Sequence, residues 1–120
     1  MITGLDHVQL AMPRGEEEAA RSFYASLLGM TELPKPPTLA GRGGCWFSSG
    51  PALVHLGVED PFSPARKAHP GFLVDDLEAL QALLARAGHD CVRADDEIPG
   101  LRRFHTHDCF GNRIEFQQAS

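Results

Sequence analysis

The sequence is poor in cysteine, tryptophan and tyrosine, with three, one and one of these residues among 120. The three cysteines are odd in number, lie far apart and form no CxxC pair, which disfavours both a disulfide framework and a thiolate zinc site. No apolar run approaches the roughly 18 residues that a membrane span needs. Met1 is followed by a polar stretch and not by a basic and then apolar leader. We therefore expect a cytoplasmic protein with no membrane partner.

Positive charge is also scarce, because 11 lysines and arginines stand against 16 aspartates and glutamates, for a net charge of −5. The basic residues form no stripe beyond the short pairs at 66–67 and 102–103. Nucleic acid is therefore not expected as a partner. Apolar residues make up 42% of the chain, enough for one sizeable core, so the length predicts a single domain over residues 1–120.

A pattern that occurs twice is the most informative feature that the sequence does contain. Residues 5–10 and 67–72 are short strand-like runs, each with a histidine in third place. Each run is followed by a segment with apolar residues at three- and four-residue spacing, which predicts a helix. The helices are expected to end at Gly29 and Gly88, since glycine suits the left-handed C-cap.

Three short strand candidates follow each predicted helix. They are residues 31–33, 44–48 and 53–58 in the first half and residues 91–93, 101–107 and 112–117 in the second. The order is βαβββ twice, which predicts an α+β fold with one module at about residues 1–60 and another at about 63–120. A proline-containing stretch at 59–66 is the expected linker. Neither module is expected to be stable alone, because one helix cannot cover both faces of a sheet.

Strand parity indicates which polar residues can meet, because successive side chains point to opposite faces of a sheet. In each half, the apolar residues of the first and last strand candidates share the sheet face that a helix would cover. The potential metal ligands on the other face are His7, His55, His69 and Glu115. A lone polar residue there is usually only solvated, but equivalent positions in both halves favour a shared purpose. Imidazoles with a carboxylate suit one divalent ion such as Zn, Ni, Co, Mn or Fe.

Four segments resemble the vicinal oxygen chelate superfamily of glyoxalases, bleomycin resistance proteins and extradiol dioxygenases. They are Leu-Asp-His-Val at 5–8, Phe-Tyr-Ala-Ser-Leu-Leu-Gly-Met at 23–30, His69 with 73–77, and Asp-Cys-Phe-Gly-Asn-Arg-Ile-Glu-Phe at 108–116. The last is the most specific, and Cys109 stands where members commonly have proline. The resemblance covers nearly the whole chain. It implies two βαβββ modules in a curved mixed sheet around a pocket, and a homodimer.

The resemblance also implies a role for each candidate ligand. His7, His69 and Glu115 match metal ligands of the superfamily, whereas His55 falls where some members have glutamate and others have no ligand. An imidazole at position 55 could bind the ion or act as a base, so Glu115 and His55 are the candidate catalytic residues. The implied function is that of a metal-dependent, glyoxalase-like enzyme acting on a small vicinal-oxygen substrate, with lyase, isomerase or dioxygenase-type chemistry.

Three further residues are candidates for substrate contact. Trp46, Arg103 and His105 would line the pocket if they lie on its concave face, and they would offer hydrogen bonds or positive charge to an anionic or oxygen-rich molecule. Alternating polar residues also occur on the solvated side of a sheet, which is the simpler interpretation of the strand candidate at 101–107.

Two other functions remain open at this stage. The first is a metal-free protein of the bleomycin-resistance type, which would bind or sequester a small molecule. The second is a structural or regulatory domain, which the concentration of polar groups on one face disfavours. Fosfomycin-resistance thiol transferases use a similar set of two histidines and one glutamate, but their substrate loop has no convincing match here. Extradiol dioxygenases are typically longer chains.

Overall fold

The structure is a computed structural model that describes residues 1–120. It divides into two compact units, Met1–Pro64 and Ala65–Ser120, each built on a four-stranded mixed sheet. None of the helices combines the length and the apolar character needed to span a membrane.

The first unit contains four strands and two helical segments. In chain order these are β1 (Val8–Met12), α1 (Glu17–Ala20) continuing as a π-helical segment (Arg21–Leu27), β2 (Thr31–Leu33), the short α2 (Pro37–Ala40), β3 (Cys45–Ser49) and β4 (Ala52–Val58). The sheet order is β1-β4-β3-β2, with β1 parallel to β4 and the other pairs antiparallel.

The core of the first unit lies on the sheet face predicted by parity. Leu10, Phe47 and Leu56 are buried there, which confirms the alternation of apolar and polar residues along these strands. The helix covers this face, and Tyr24 stacks on Phe47 with ring centroids 5.5 Å apart. Burying each such side chain stabilises the fold by about 1.5–3 kcal/mol. Burial also raises the pKa of Cys45 to about 11, so this thiol stays protonated.

The second unit repeats the order of the first. Its elements are β5 (Gly71–Leu73), α3 (Leu77–Arg86), β6 (Val92–Arg93), β7 (Leu101–His107) and β8 (Arg113–Ala119). The sheet order is β5-β8-β7-β6, again with one parallel pair, β5 with β8. Leu77 and Leu84 of α3 are buried, as are Phe104, Ile114 and Phe116 of the sheet.

Helix α3 is capped at both ends. Asp76 is the N-cap, and its side chain accepts a hydrogen bond of 3.0 Å from the backbone N–H of Ala79. Asp75 and Glu78 have the spacing of a capping box, which predicts a cap at Asp75, but the structure places the cap one residue later. Gly88 ends the helix with φ of +89°, and the N–H of His89 donates back to the last turn at 3.0 Å, confirming the predicted glycine stop.

The turn between β7 and β8 is held by its own side chains. Asp108 accepts hydrogen bonds of 2.9 Å from the backbone N–H groups of Phe110 and Asn112. The buried Asn112 side chain donates to Asp108 at 3.0 Å and accepts from the N–H of Ala65 at 3.0 Å. The turn therefore fixes the β7–β8 register and also anchors the segment that leads to β5.

The first strand of each unit begins later than predicted. His7 immediately precedes β1, since pairing with β4 begins at Val8, and His69 precedes β5. Pro70 has no N–H to donate to a ladder, which explains why β5 begins after it. The proline-rich segment at 34–37, which is typical of a loop, continues into α2, where Pro37 occupies the first turn, a position that tolerates proline.

Candidate metal centre

The ladder of the second unit brings two candidate ligands together. His105 on β7 and Glu115 on β8 are direct cross-strand partners, and both lie on the face opposite the buried Phe104 and Phe116. The Nε2 atom of His105 lies 3.1 Å from Oε1 of Glu115.

The third ligand comes from the segment before β5. The backbone N–H of Glu115 donates to the carbonyl of Pro70 at 3.0 Å, which holds this segment beside β8. Nδ1 of His69 lies 2.8 Å from the carbonyl of Lys67, to which it donates a hydrogen bond. That contact leaves Nε2 of His69 facing Oε1 of Glu115 at 3.2 Å. The backbone carbonyl therefore fixes the ring so that Nε2, the nitrogen facing Glu115, is the one presented to a metal.

The geometry of the three groups suits one ion. Single ligand atoms of His69, His105 and Glu115 all lie within 4.8 Å of one another. Two ligands each about 2.1 Å from the same ion are separated by about 3.0–3.4 Å in octahedral or tetrahedral geometry. Two of the three separations, 3.1 and 3.2 Å from the carboxylate to the two imidazoles, match that range. Two nitrogens and one oxygen suit Zn, Ni, Co, Mn or Fe.

The ionisation states also favour metal binding. Burial opposes ionisation of Glu115, but hydrogen bonds from His69 and Arg103 outweigh it and hold the pKa of this carboxyl below its ordinary value. Burial and the nearby charge of Arg113 lower the pKa of His105. At neutral pH the structure therefore presents a carboxylate and a neutral imidazole, the forms that bind a divalent ion.

Arg103 lies beside these three residues. Its Nη1 donates to Oε1 of Glu115 at 3.1 Å, its Nη2 donates to Glu97, and its backbone N–H donates to Asp95 at 3.1 Å. The side chain is only 13% exposed. The oxygen of Glu115 that faces both histidines thus also accepts a hydrogen bond from a guanidinium.

The polar residues of the first unit form an aromatic stack. The ring of His55 lies 4.0 Å from that of Trp46 and 4.0 Å from that of His7, with interplanar angles of 4° and 16°. Nδ1 of His7 also contacts Asp6 at 2.9 Å. Burial and the proximity of His7 lower the pKa of His55. Because a ring nitrogen binds metal in its ring plane, both stacked histidines could bind the same ion only if one ring turned.

The two units place these groups at equivalent positions. In each unit, a residue on β3 or β7 pairs with a residue on the last strand, β4 or β8. That last-strand residue also pairs with a residue on the first strand, β1 or β5. The third position lies two residues before this first-strand partner. In chain order the positions hold His7, Trp46 and His55 in the first unit and His69, His105 and Glu115 in the second.

The predicted site residues therefore form two sets. The second unit brings together His69, Arg103, His105 and Glu115, and the first brings together His7, Trp46 and His55. The sequence interpretation assigned His105 to the substrate, whereas the structure groups it with potential metal ligands. The signal was present, because a short turn at 108–112 pairs residues equally distant from it, including His105 and Glu115.

A family model for the Glyoxalase/Bleomycin resistance protein/Dioxygenase superfamily matches residues 4–116. A glyoxalase family protein from Bacillus anthracis superposes with a TM-score of 0.95 at 45% identity, over 100% of this chain and 98% of that chain. No match was found among curated proteins.

More distant structures share the fold. A fosfomycin resistance protein from Listeria monocytogenes has a TM-score of 0.75 at 13% identity, over 100% of this chain and 96% of that chain. A glyoxalase/dioxygenase from Nostoc punctiforme has a TM-score of 0.74 at 20% identity, over 97% and 91%. These neighbours confirm the predicted α+β fold of paired βαβββ modules. The chain belongs to the glyoxalase/bleomycin resistance protein/dioxygenase superfamily.

Proposed function

We propose that the chain is a metal-dependent, glyoxalase-like enzyme whose second unit binds one divalent ion through His69, His105 and Glu115. The observation that supports this most directly is the approach of three ligand atoms to within 4.8 Å of one another. We also propose that residues 1–120 act as one functional domain of two modules.

The ion would act as a Lewis acid toward two neighbouring oxygens of a small substrate. The protein residues have separate tasks around it. Glu115 supplies negative charge, and His69 is held in one orientation by the Lys67 carbonyl. Arg103 orients the carboxylate of Glu115 from the side. The 45% identity to a protein named for the glyoxalase family supports lyase or isomerase chemistry ahead of dioxygenation.

The roles of the first unit stay predictions. His7 and His55 remain candidate ligands, His55 and Glu115 remain candidate catalytic residues, and Trp46 remains a candidate substrate contact. The stacked geometry supports His55 as a base ahead of joint metal binding with His7. A neutral imidazole is the form that accepts a proton. Homodimer formation also stays a prediction.

Metal binding to the full chain tests the proposal. The protein is stripped with a chelating resin, and Zn²⁺, Ni²⁺, Co²⁺ and Mn²⁺ are titrated by calorimetry. We expect one ion per chain, and we expect His105→Ala and Glu115→Gln to weaken binding at least about 10-fold. His107→Ala is the matched control, because this exposed histidine lies on the same strand. Unchanged affinity in the first two variants would contradict the site.

Turnover provides the second measurement. Methylglyoxal hemithioacetals, catechols and fosfomycin are screened with the loaded and the stripped protein. We expect activity toward one of these classes that disappears on stripping and returns with metal. Activity that is equal in both forms would contradict metal dependence.

A metal-free binding protein is the alternative function. The observation that favours it is the Arg103 guanidinium, which already compensates the charge of Glu115 without an ion. This alternative predicts no stoichiometric metal and a small-molecule complex that survives the chelating resin.

A further inference from the structure

One buried nitrogen of Arg103 has no hydrogen-bond partner. Nη1 binds Glu115 and Nη2 binds Glu97, but Nε is shielded from solvent and has no hydrogen-bond partner. A buried donor without a partner destabilises a fold, so a ligand that pairs with it is favoured.

The geometry of the guanidinium specifies what the free donor could bind. The N–H of Nε and one N–H of Nη2 point the same way along one edge of the group, spaced for the two oxygens of one carboxylate. Glu97 contacts Nη2, and Nε at the other end of this edge has no hydrogen-bond partner. The opposite end of the guanidinium, Nη1, is engaged by the buried Glu115. A two-oxygen anion could therefore use the free edge while Arg103 keeps its bond to Glu115.

Glu97 is a partner that an incoming anion could replace. Its side chain is 66% exposed and lies in the loop between β6 and β7, whereas that of Arg103 is 13% exposed. Because most of the Glu97 side chain is already in water, its carboxylate gives up little when it leaves the arginine.

The scaffold itself does not require an arginine here. Arg103 lies two residues before His105 on the middle strand, and the residue two before Trp46 in the first unit is Gly44. There the backbone approaches so closely that a Cβ would lie 2.1 Å from the carbonyl oxygen of Leu56. The corresponding position, just before β3, thus holds no side chain in the first unit, whereas in the second unit it holds a largely buried cation.

We propose that the Nε–Nη2 edge of Arg103 is an anion subsite, in which the carboxylate of a small molecule replaces Glu97. The subsite adjoins Glu115. In the proposed enzyme it therefore selects substrates in which a carboxylate lies next to the two neighbouring oxygens that the ion would bind. This account of the substrate rests on the proposed function, but anion binding itself needs no metal.

The test uses the full chain, stripped of metal, with pyruvate as the probe and methyl pyruvate as its neutral counterpart. The Nε–H signal of Arg103 is followed by nuclear magnetic resonance. We expect pyruvate to shift this signal in a saturable manner with a Kd at or below about 10 mM, and we expect no shift with methyl pyruvate. Equal effects of the two compounds, or no effect of either, would overturn the subsite.

Variants of the loop make the test specific. Glu97→Gln removes the competing carboxylate and should tighten pyruvate binding by about 2- to 5-fold. Asp96→Asn removes the same charge from the neighbouring exposed position and should change affinity less. If both variants tighten binding equally, the effect is general charge attraction and the subsite is rejected. Arg103→Lys, checked for an unchanged far-ultraviolet spectrum, should weaken binding because lysine has no planar fork.

The result is separable from that of the metal experiment. Pyruvate binding to stripped protein with no metal stoichiometry would support the subsite and contradict the enzyme. Metal binding with no pyruvate effect would support the enzyme and contradict the subsite.

Discussion

His105 and Glu115 face each other across the antiparallel β7–β8 ladder, with Nε2 of one 3.1 Å from Oε1 of the other. Since both residues are carried by strands, backbone hydrogen bonds set their separation. His69 comes from an irregular segment, but that segment is tied to Glu115 through the Pro70 carbonyl. A site on regular elements is held more precisely than one on loops, so His105 and Glu115 are the better fixed of the three ligands.

The pH dependence of stability should report the environment of His55. Its pKa is below the ordinary value near 6.5 because of burial and the adjacent His7. The unfolded chain therefore takes up a proton first as the pH falls below about 6.5, and the free energy of unfolding decreases until the folded-state pKa is passed. Urea unfolding at about pH 7.5 and about pH 5.5 should show a smaller loss for His55→Gln than for the wild type.

His107→Gln is the control for that comparison, since it removes an exposed histidine outside the stack. It should retain the acid-side loss seen in the wild type. If His55→Gln and wild type lose stability in parallel, the proposed environment of His55 is wrong.

Asn112→Ala should destabilise the protein by about 2–4 kcal/mol, because it removes a fully buried amide that bonds Asp108 and the Ala65 N–H. Metal affinity should also fall, since the segment that carries His69 begins at that contact. Chemical denaturation and calorimetry measure the two effects. Cys109→Ser, at an exposed position of the same turn, should stay within about 0.5 kcal/mol of the wild type. Equal stability of the two variants would refute the anchoring role of Asn112.

Asp76→Ala should cost about 1 kcal/mol through loss of the α3 N-cap. Asp75→Ala is the matched control, because Asp75 contributes its backbone carbonyl to a hydrogen bond with Gln118 and that carbonyl survives the substitution. The control should change the free energy of unfolding by less than about 0.5 kcal/mol. The reverse order in urea unfolding would restore Asp75 as the cap.

Much of the fold could be predicted because local signals and burial agree. Alternation placed Leu10, Leu56 and Ile114 on buried faces, and Gly88 marked the end of α3, as the structure has them. The short α2 was missed because prolines at 34, 36 and 37 are typical of a loop, although proline is tolerated in a first helical turn. Nothing in the sequence signalled the π-helical segment at Arg21–Leu27.

The candidate site was predictable to the level of faces but not of contacts. Parity placed Glu115 on the face opposite the apolar residues, and Arg103 and His105 were candidates only on the condition that they lie on the same concave face. Their mutual distances depend on which residues pair across β7 and β8, and that pairing is set by the turn held by Asp108 and Asn112. The stacking of His7, His55 and Trp46 depends on side-chain rotation, which strand periodicity does not determine.

The equivalence of the two units separates architecture from chemistry. The three equivalent positions of each unit are related by main-chain pairing and not by side-chain type. They hold three stacked rings in the first unit and an imidazole–carboxylate cluster in the second. When a unit is repeated in this way, the side chains at these positions can change in one copy while the strand pairing of both copies stays intact. The chemistry of this architecture can thus change through a few amino-acid substitutions at equivalent positions, while the backbone stays the same.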